Sequence, residues 1–310
     1  MLFRSASSCL IPVWHDDAQG TASVSLAGLL NALELTGKKI SDVRIVYLGA
    51  GAANTACCRL NILCGADPQK TIIFDKDGAL TLDRADFRDC PAFDQQWRLC
   101  RETNPRGIVR IEEAIKNADV LIAFSKPGPD TIDPRWIRAM AELPIVFAGA
   151  NPVPEIYPFA AHEAGAYIVG TGRGDFPNQL NNSIGFPGIL KGALLVRARK
   201  ITDAMAIAAA HSLAEYARRR GISHDNIVPK MTEPDLFAHE AADVGVQAIN
   251  DGVAQTIMSR DAIFLKARND IESARKAHDL LVQHDIIPAF PDAIVQEALE
   301  WAVSEIRAGR

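Results

Sequence analysis

The sequence predicts an α/β protein built on a doubly wound parallel sheet, with a helical extension toward its C-terminal end. Three observations predict it. Short, almost wholly apolar runs recur between helical segments, the pattern of parallel strands covered on both faces. The first run ends in a glycine turn, Gly49-Ala50-Gly51, that opens into an alanine-rich helix. After Gly188 the strand-like runs stop and long, charge-rich helical segments take over.

A chain of 310 residues has room for one large or two ordinary domains. With 48% hydrophobic and 23% charged residues it reads as a soluble globular chain. Its formal charge of -5 speaks against nucleic acid or an anionic membrane as the main partner. No apolar run reaches the roughly 20 residues that span a bilayer. Residues 1–10 carry one arginine and no sustained apolar stretch, so they are not read as a signal peptide. Cys9, Cys57, Cys58, Cys64, Cys90 and Cys100 form no Cys-x-x-Cys pair. They are expected to be free thiols in a reducing cytoplasm.

Taken in order, residues 20–35 predict a helix, closed by Gly37 and a lysine pair. Residues 43–48 predict the first strand, 51–64 the helix after the glycine turn, and 71–75 the second strand. The polar stretch 77–106 has no clean period and is expected to wander over the surface. Then follow a helix at 111–117, a strand at 120–124, a helix at 135–142, a strand at 144–148, a helix at 156–164 and a strand at 166–170. Helices are expected at 188–199, 202–219, 243–259, 262–283 and 292–307. The expected division is an N-terminal segment and helix (1–40), a dinucleotide-binding domain (41–200) and a helical region packed on it (201–310).

The glycine turn and the strand after it carry the strongest chemical signal. Gly49 allows a tight turn off the strand, and Gly51 lets backbone amides approach a pyrophosphate. The helix that starts at Ala52 and Ala53 turns its positive end toward the phosphates. The second strand ends in Asp75, 24 residues after Gly51, where a carboxylate can take a ribose 2′-hydroxyl. The unit is Rossmann-like, and the acid favours NAD over NADP because a 2′-phosphate would meet a carboxylate. Lys76 beside it is a cation that would soften this preference.

Three more groups follow predicted strands or precede the first helix. Asp16 and Asp17, after His15, have three readings: a divalent cation, a lysine partner, or a helix cap. His15 is read as a structural histidine. Asn151 precedes Pro152 after the fourth strand, which holds it extended and can aim its amide into a crevice. The segment from Gly170 to Asn182 is dense in glycine and amide side chains. Asn181 and Asn182 there can donate to carboxylate or carbonyl oxygens without adding charge.

Read together, the run Ile11-Pro12-Val13-Trp14-His15-Asp16-Asp17-Ala18-Gln19-Gly20-Thr21-Ala22, the glycine turn with Asp75, Ala150-Asn151-Pro152, and the stretch from Gly170 to Gly188 resemble the malic enzyme family, in the same order. The resemblance runs from about Ile11 to about Ile257. It implies oxidative decarboxylation of malate, or a similar 2-hydroxy acid, to pyruvate and CO₂, with NAD as acceptor and Mg²⁺ or Mn²⁺ as Lewis acid. By position, it makes Asp17 a metal ligand and Asp16 the holder of the family's catalytic lysine. Asn151 and Asn182 would contact the substrate carboxylate or the nicotinamide side. Gly49, Gly51, Ala52, Ala53 and Asp75 would hold the dinucleotide. A homo-oligomer in the cytoplasm is expected.

The departures from the family pattern are specific. Its tyrosine acid, lysine base, substrate arginine and two further acidic metal ligands lie upstream of the Asp-Asp segment, and residues 1–10 carry none of those motifs. Activity of this chain alone is therefore expected to be impaired. A non-catalytic NAD-binding or regulatory member, and malolactic chemistry, are the alternatives. Asn54 stands where the family places Gly or Ala, so it would either crowd the helix–strand contact or reach a phosphate. Gly174 replaces the family's usual serine.

Overall fold

The computed structural model describes residues 9, 11–233, 235–288 and 291–307. The reading of residues 1–10 as lacking a signal peptide falls, Cys9 apart, outside them. Six strands are present: β1 (Ile45–Leu48), β2 (Thr71–Asp75), β3 (Gly78–Ala79), β4 (Val120–Ala123), β5 (Ile145–Ala148) and β6 (Ile168–Thr171). They form one sheet in the order β3-β2-β1-β4-β5-β6. All pairs are parallel except β3, which returns antiparallel along β2. In register, Ile45 stands opposite both Thr71 and Val120. The chain thus leaves β1 for β2 on one side and later arrives at β4 on the other. That reversal opens a crevice at the carboxyl ends of β1 and β4, where open α/β sheets bind ligands.

The helices are α1 (Thr21–Thr36), α2 (Ala52–Leu63), α3 (Ala85–Arg88), α4 (Asp94–Glu102), α5 (Ile111–Ile115), α6 (Pro134–Arg138), α7 (Pro158–Glu163), α8 (Phe186–Leu195), α9 (Asp203–Arg220), α10 (Leu236–Asn250), α11 (Arg260–Gln283) and α12 (Asp292–Arg307). Alternate strand residues face opposite layers. Ile45, Tyr47, Ile122 and Phe147 pack with Leu26 and Leu29 of α1, Leu60 of α2 and Leu213 of α9. Val46, Leu121, Val146 and Val169 pack with Ile115, Ile137 and Ala161 on the other side. Burying each of the larger side chains contributes about 1.5–3 kcal/mol, which is why uniformly apolar strands were a reliable guide.

Two elements differ from expectation. The stretch 77–106 is not simply irregular: it contains β3, α3 and the nine-residue α4, which buries Leu99 and Cys100. A helix of two and a half turns, mostly polar, shows too few repeats to reveal a period. The helix expected at 243–259 is α10, which starts seven residues earlier and stops at Asn250. Gly252 (φ +69°) turns the chain there, and the Val253 amide returns to the Ala248 carbonyl.

The chain divides into two compact units at residue 267. The first runs past residue 200, because α9 packs along α1 and α10 along α8. The second comprises the distal part of α11 and α12. Among the described residues no helix is long and apolar enough to cross a membrane. Cys57, Cys58 and Cys100 are free and buried, Cys64 and Cys90 free and partly exposed, and Cys9 free and exposed.

Candidate functional site

At the reversal point β1 runs into the glycine turn. Gly49 adopts φ +103°, and a Cβ there would lie 2.5 Å from the Phe124 carbonyl oxygen at the end of β4. Only glycine fits. Gly51 is different: its backbone is extended, and a Cβ would meet nothing within 4 Å. The space over Gly51 faces the start of α2, which has no side-chain cap. The first-turn amides of Ala52 and Ala53 have no intrahelical acceptor and present positive potential there. A cavity of about 650 Å³ lies against the turn, bounded by Gly49, Gly51, Asp75, Phe87, Ser125 and Lys126 among others. A dinucleotide's phosphates fit this arrangement.

Asn54 does neither thing expected of it. It is fully buried, and its Nδ2 donates to the Leu48 and Gly49 carbonyls at 2.8 and 3.0 Å. It bolts α2 to the end of β1 and leaves the phosphate space free. Asp75 is held by a residue that the sequence reading missed. Arg84 donates to both its oxygens, Nη1 to Oδ1 at 3.0 Å and Nη2 to Oδ2 at 2.6 Å. The same guanidinium pairs with Asp86 and lies 4.2 Å over the Phe87 ring. Lys76 does not reach Asp75; it pairs with Asp77 at 2.7 Å and is 86% exposed. The signal for Arg84 was a basic side chain nine residues past the acid, hidden in a stretch without a period.

The other end of the crevice gathers residues distant in sequence. Asp16 and Asp17 lie in a π-helical turn, Asp16–Gly20. Neither carboxylate caps a helix. Asp16 accepts from the Trp14 indole at 3.1 Å and lies over Gly20, where a Cβ would come within 2.0 Å of its Oδ1. Burial raises the Asp16 pKa, the indole bond opposes this, and the charge of Asp17 adds to it. Asp17 is exposed and meets the Asn182 amide at 3.4 Å. Asn181 is turned inward. Its amide donates to the Gly172 carbonyl at 3.0 Å and its oxygen accepts from the Ser183 amide at 3.0 Å. Asn181 thereby shapes the bend. Asn151, before a cis peptide bond to Pro152, is exposed and crowds Gly172, where a Cβ would lie 2.6 Å from its Nδ2.

Asn151, Gly172, Asn181, Asn182 and Asp17 therefore form one continuous wall. A divalent cation does not fit this wall as it stands. Among the described residues no three His, Cys, Asp or Glu side chains come together to hold a metal ion. One exposed carboxylate beside a neutral amide is too little to strip water from such an ion.

The model of the "Malic enzyme, NAD binding domain" family matches residues 18–249. A crystal structure of Entamoeba histolytica malic enzyme is 54% identical, with a TM-score of 0.95 over 98% of this chain and 63% of that one. The NADP-dependent malic enzyme of Halomonas elongata is 39% identical over 262 residues, 80% of this chain and 60% of the relative. The NAD-dependent malic enzyme of Geobacillus stearothermophilus is 39% identical over 245 residues, 79% of this chain and 49% of the relative. The chain thus spans about half to three-fifths of the length of these curated relatives. With the glycine turn and the asparagine bend both inside the matched residues, the chain belongs to the malic enzyme family.

Proposed function

We propose that the chain carries the dinucleotide-binding portion, and part of the acid-binding wall, of an NAD-dependent enzyme that oxidatively decarboxylates malate to pyruvate and CO₂. The observation that carries this reading is the convergence of Asp17 with Asn182 and of Asn151 with the Asn181 bend. Asn151 follows β5 and Gly172 follows β6, on the same carboxyl edge of the parallel sheet as the glycine turn after β1.

Each residue then has a physical task. The α2 amides at Ala52 and Ala53 receive the pyrophosphate, and Gly49 and Gly51 let it approach. Asp75, oriented by Arg84, accepts the ribose 2′-hydroxyl. A 2′-phosphate would instead meet Asp75, Asp77 and Asp86, against which stand Arg84 and Lys76, so NAD is preferred over NADP. When bound, the nicotinamide supplies the electron acceptor. Asn151 and Asn182 donate to the substrate carboxylates without adding charge. Asp16, half-buried, orients a proton-transfer group, and Asp17 would supply one carboxylate toward a Mg²⁺ or Mn²⁺ ion that this wall does not hold by itself. The exposed apolar side chains of α12, Leu299, Trp301 and Ile306, support assembly into a homo-oligomer.

The test is a titration of the chain with NADH, followed by an assay for NADH formation from malate, NAD and Mn²⁺, with products identified. Saturable NADH binding and appearance of pyruvate are expected, the turnover slow. Absence of dinucleotide binding overturns the reading, and lactate as product converts it to the malolactic alternative.

A further inference from the structure

Between the two ends of the crevice lies Glu155, a carboxylate with no accessible surface. Burying an ionisable group is costly unless donors surround it, and three do. Oε1 accepts from the Ser125 amide at 2.7 Å and from the Ser125 hydroxyl at 3.0 Å. Oε2 accepts from the Ala150 amide at 3.0 Å. Its own carbonyl accepts from the Ile132 amide at 3.0 Å. Ser125 belongs to the loop after β4 and lines the nucleotide cavity. Ala150 belongs to the loop after β5 and is joined directly to Asn151. One side chain thus ties the wall of the cavity to the residue assigned to the acid end.

We propose that Glu155 is a positioning residue, a buried brace that sets the spacing of the β4 and β5 loops so that a ligand spanning the cavity and Asn151 meets both in register. The inference rests on the dinucleotide reading above and deepens it: the adenosine and pyrophosphate contacts lie off the brace, whereas the nicotinamide half crosses it. A hydrogen-bonded carboxylate suits this role because both of its oxygens accept, and both loops offer donors. Burial raises its pKa and the Ala150 and Ser125 amides pull it back, consistent with a brace made of backbone donors rather than a cation. Phe124 and Gly149 also touch, since a Cβ on Gly149 would lie 2.0 Å from the Phe124 ring. That contact keeps the loops together but not in register, because a ring edge has no directional partner.

Glu155→Gln tests it in the full chain. The variant has nearly the same shape but accepts through one oxygen only, so its NH₂ must face either the Ala150 or the Ser125 amide, donor against donor. Two probes are compared with the unchanged protein: NADH, by its fluorescence on binding, and ADP-ribose, by calorimetry. The expected result is NADH weakened about tenfold or more, with a changed emission maximum, while ADP-ribose changes by less than about threefold. Ser125→Ala, which keeps the backbone donor, is expected to weaken NADH about two- to threefold with ADP-ribose unmoved, and it decides the matter should Glu155→Gln not fold. Equal weakening of both probes, or of neither, overturns the brace. Failure of the unchanged protein to bind NADH is a different result, and removes the dinucleotide reading together with the brace that rests on it.

Discussion

Around the glycine turn the polar groups are matched by partners at most 46 positions away in the chain. Asn54 fastens α2 to the end of β1, Gln96 donates to the Ala50 carbonyl, and Arg84 grips Asp75 with both ends of its fork. Across the sheet the wall of asparagines and Asp17 is assembled from residues up to 165 positions apart. There Asp17 is exposed, its contact to Asn182 is long at 3.4 Å, and Asp16 leans on an indole. Under the proposed function, dinucleotide recognition and acid chemistry are therefore separable. The first needs little beyond a strand, a turn and a helix N-terminus. The second needs several charges brought together, and among the described residues no such cluster forms.

The strongest way to break this contrast is at Gly49. Alanine there must adopt φ +103° with its Cβ 2.5 Å from the Phe124 carbonyl oxygen. Strain and clash together are expected to cost about 3 kcal/mol or more. NADH binding should fall by about 100-fold or more, a loss of about 2.7 kcal/mol, with a lowered Tm in the same sample. Undiminished binding would mean that the turn is not where the pyrophosphate lies.

A change at Asp75 sharpens the contrast by asking what the dinucleotide end selects. Asp75→Ala removes the carboxylate and frees one side of Arg84, which keeps Asp86. The ratio of NADPH to NADH affinity is expected to rise about 10- to 100-fold, read by parallel fluorescence titrations. An unchanged ratio would show that Arg84 fixes the acid without reading the ribose.

That dinucleotide end was largely legible in the sequence because its signals are local. Gly49, Gly51 and Asp75 stand at fixed distances along one strand–helix–strand unit, and those distances are dictated by the geometry of the turn. Arg84 was not legible, since a guanidinium can reach its acid from many loop positions and the loop has no period to place it. Asn54 showed as an anomaly, but the direction of its amide depends on a tight helix–strand contact visible only in three dimensions. In the asparagine bend, neighbouring Asn181 and Asn182 have the same chemistry and opposite fates, settled by which one faces Gly172. Glu155 stands in a proline-flanked stretch, and nothing local announces that it is buried.

Glu240 tests how firmly the helix after the asparagine bend is held. It is fully buried beneath the first turn of α8, where a Cβ on Gly188 would lie 2.1 Å from its Oε2. Neither of its oxygens completes a hydrogen bond among the described residues. Burial pushes its pKa well above the usual carboxylate range, against a pull from the Gly188 amide. With the folded pKa raised, the folded chain keeps a proton that the unfolded chain releases. Stability is therefore lost as pH climbs from the ordinary glutamate value toward the raised one. Glu240→Gln has no such proton to lose. The Tm of the variant relative to the unchanged protein should rise between pH 5 and pH 8, by about 2–4 °C for each kcal/mol recovered. A difference that stays flat with pH would show that Glu240 is ionised in the fold.

The mildest changes are expected where the two ends should be independent. Asp17→Asn and Asn182→Ala alter the wall of asparagines and Asp17 and touch no group that lines the nucleotide cavity. Well-separated sites without shared partners behave additively, so NADH affinity in both variants should remain within about twofold of the unchanged protein. Mn²⁺ gives the complementary reading through its paramagnetic resonance. One exposed carboxylate should hold the ion no more tightly than about millimolar, and Asp17→Asn should remove that weak binding while leaving NADH untouched. Micromolar Mn²⁺ binding by the unchanged chain, or a loss of NADH affinity in Asp17→Asn, would join the two ends into a single site and undo their separation.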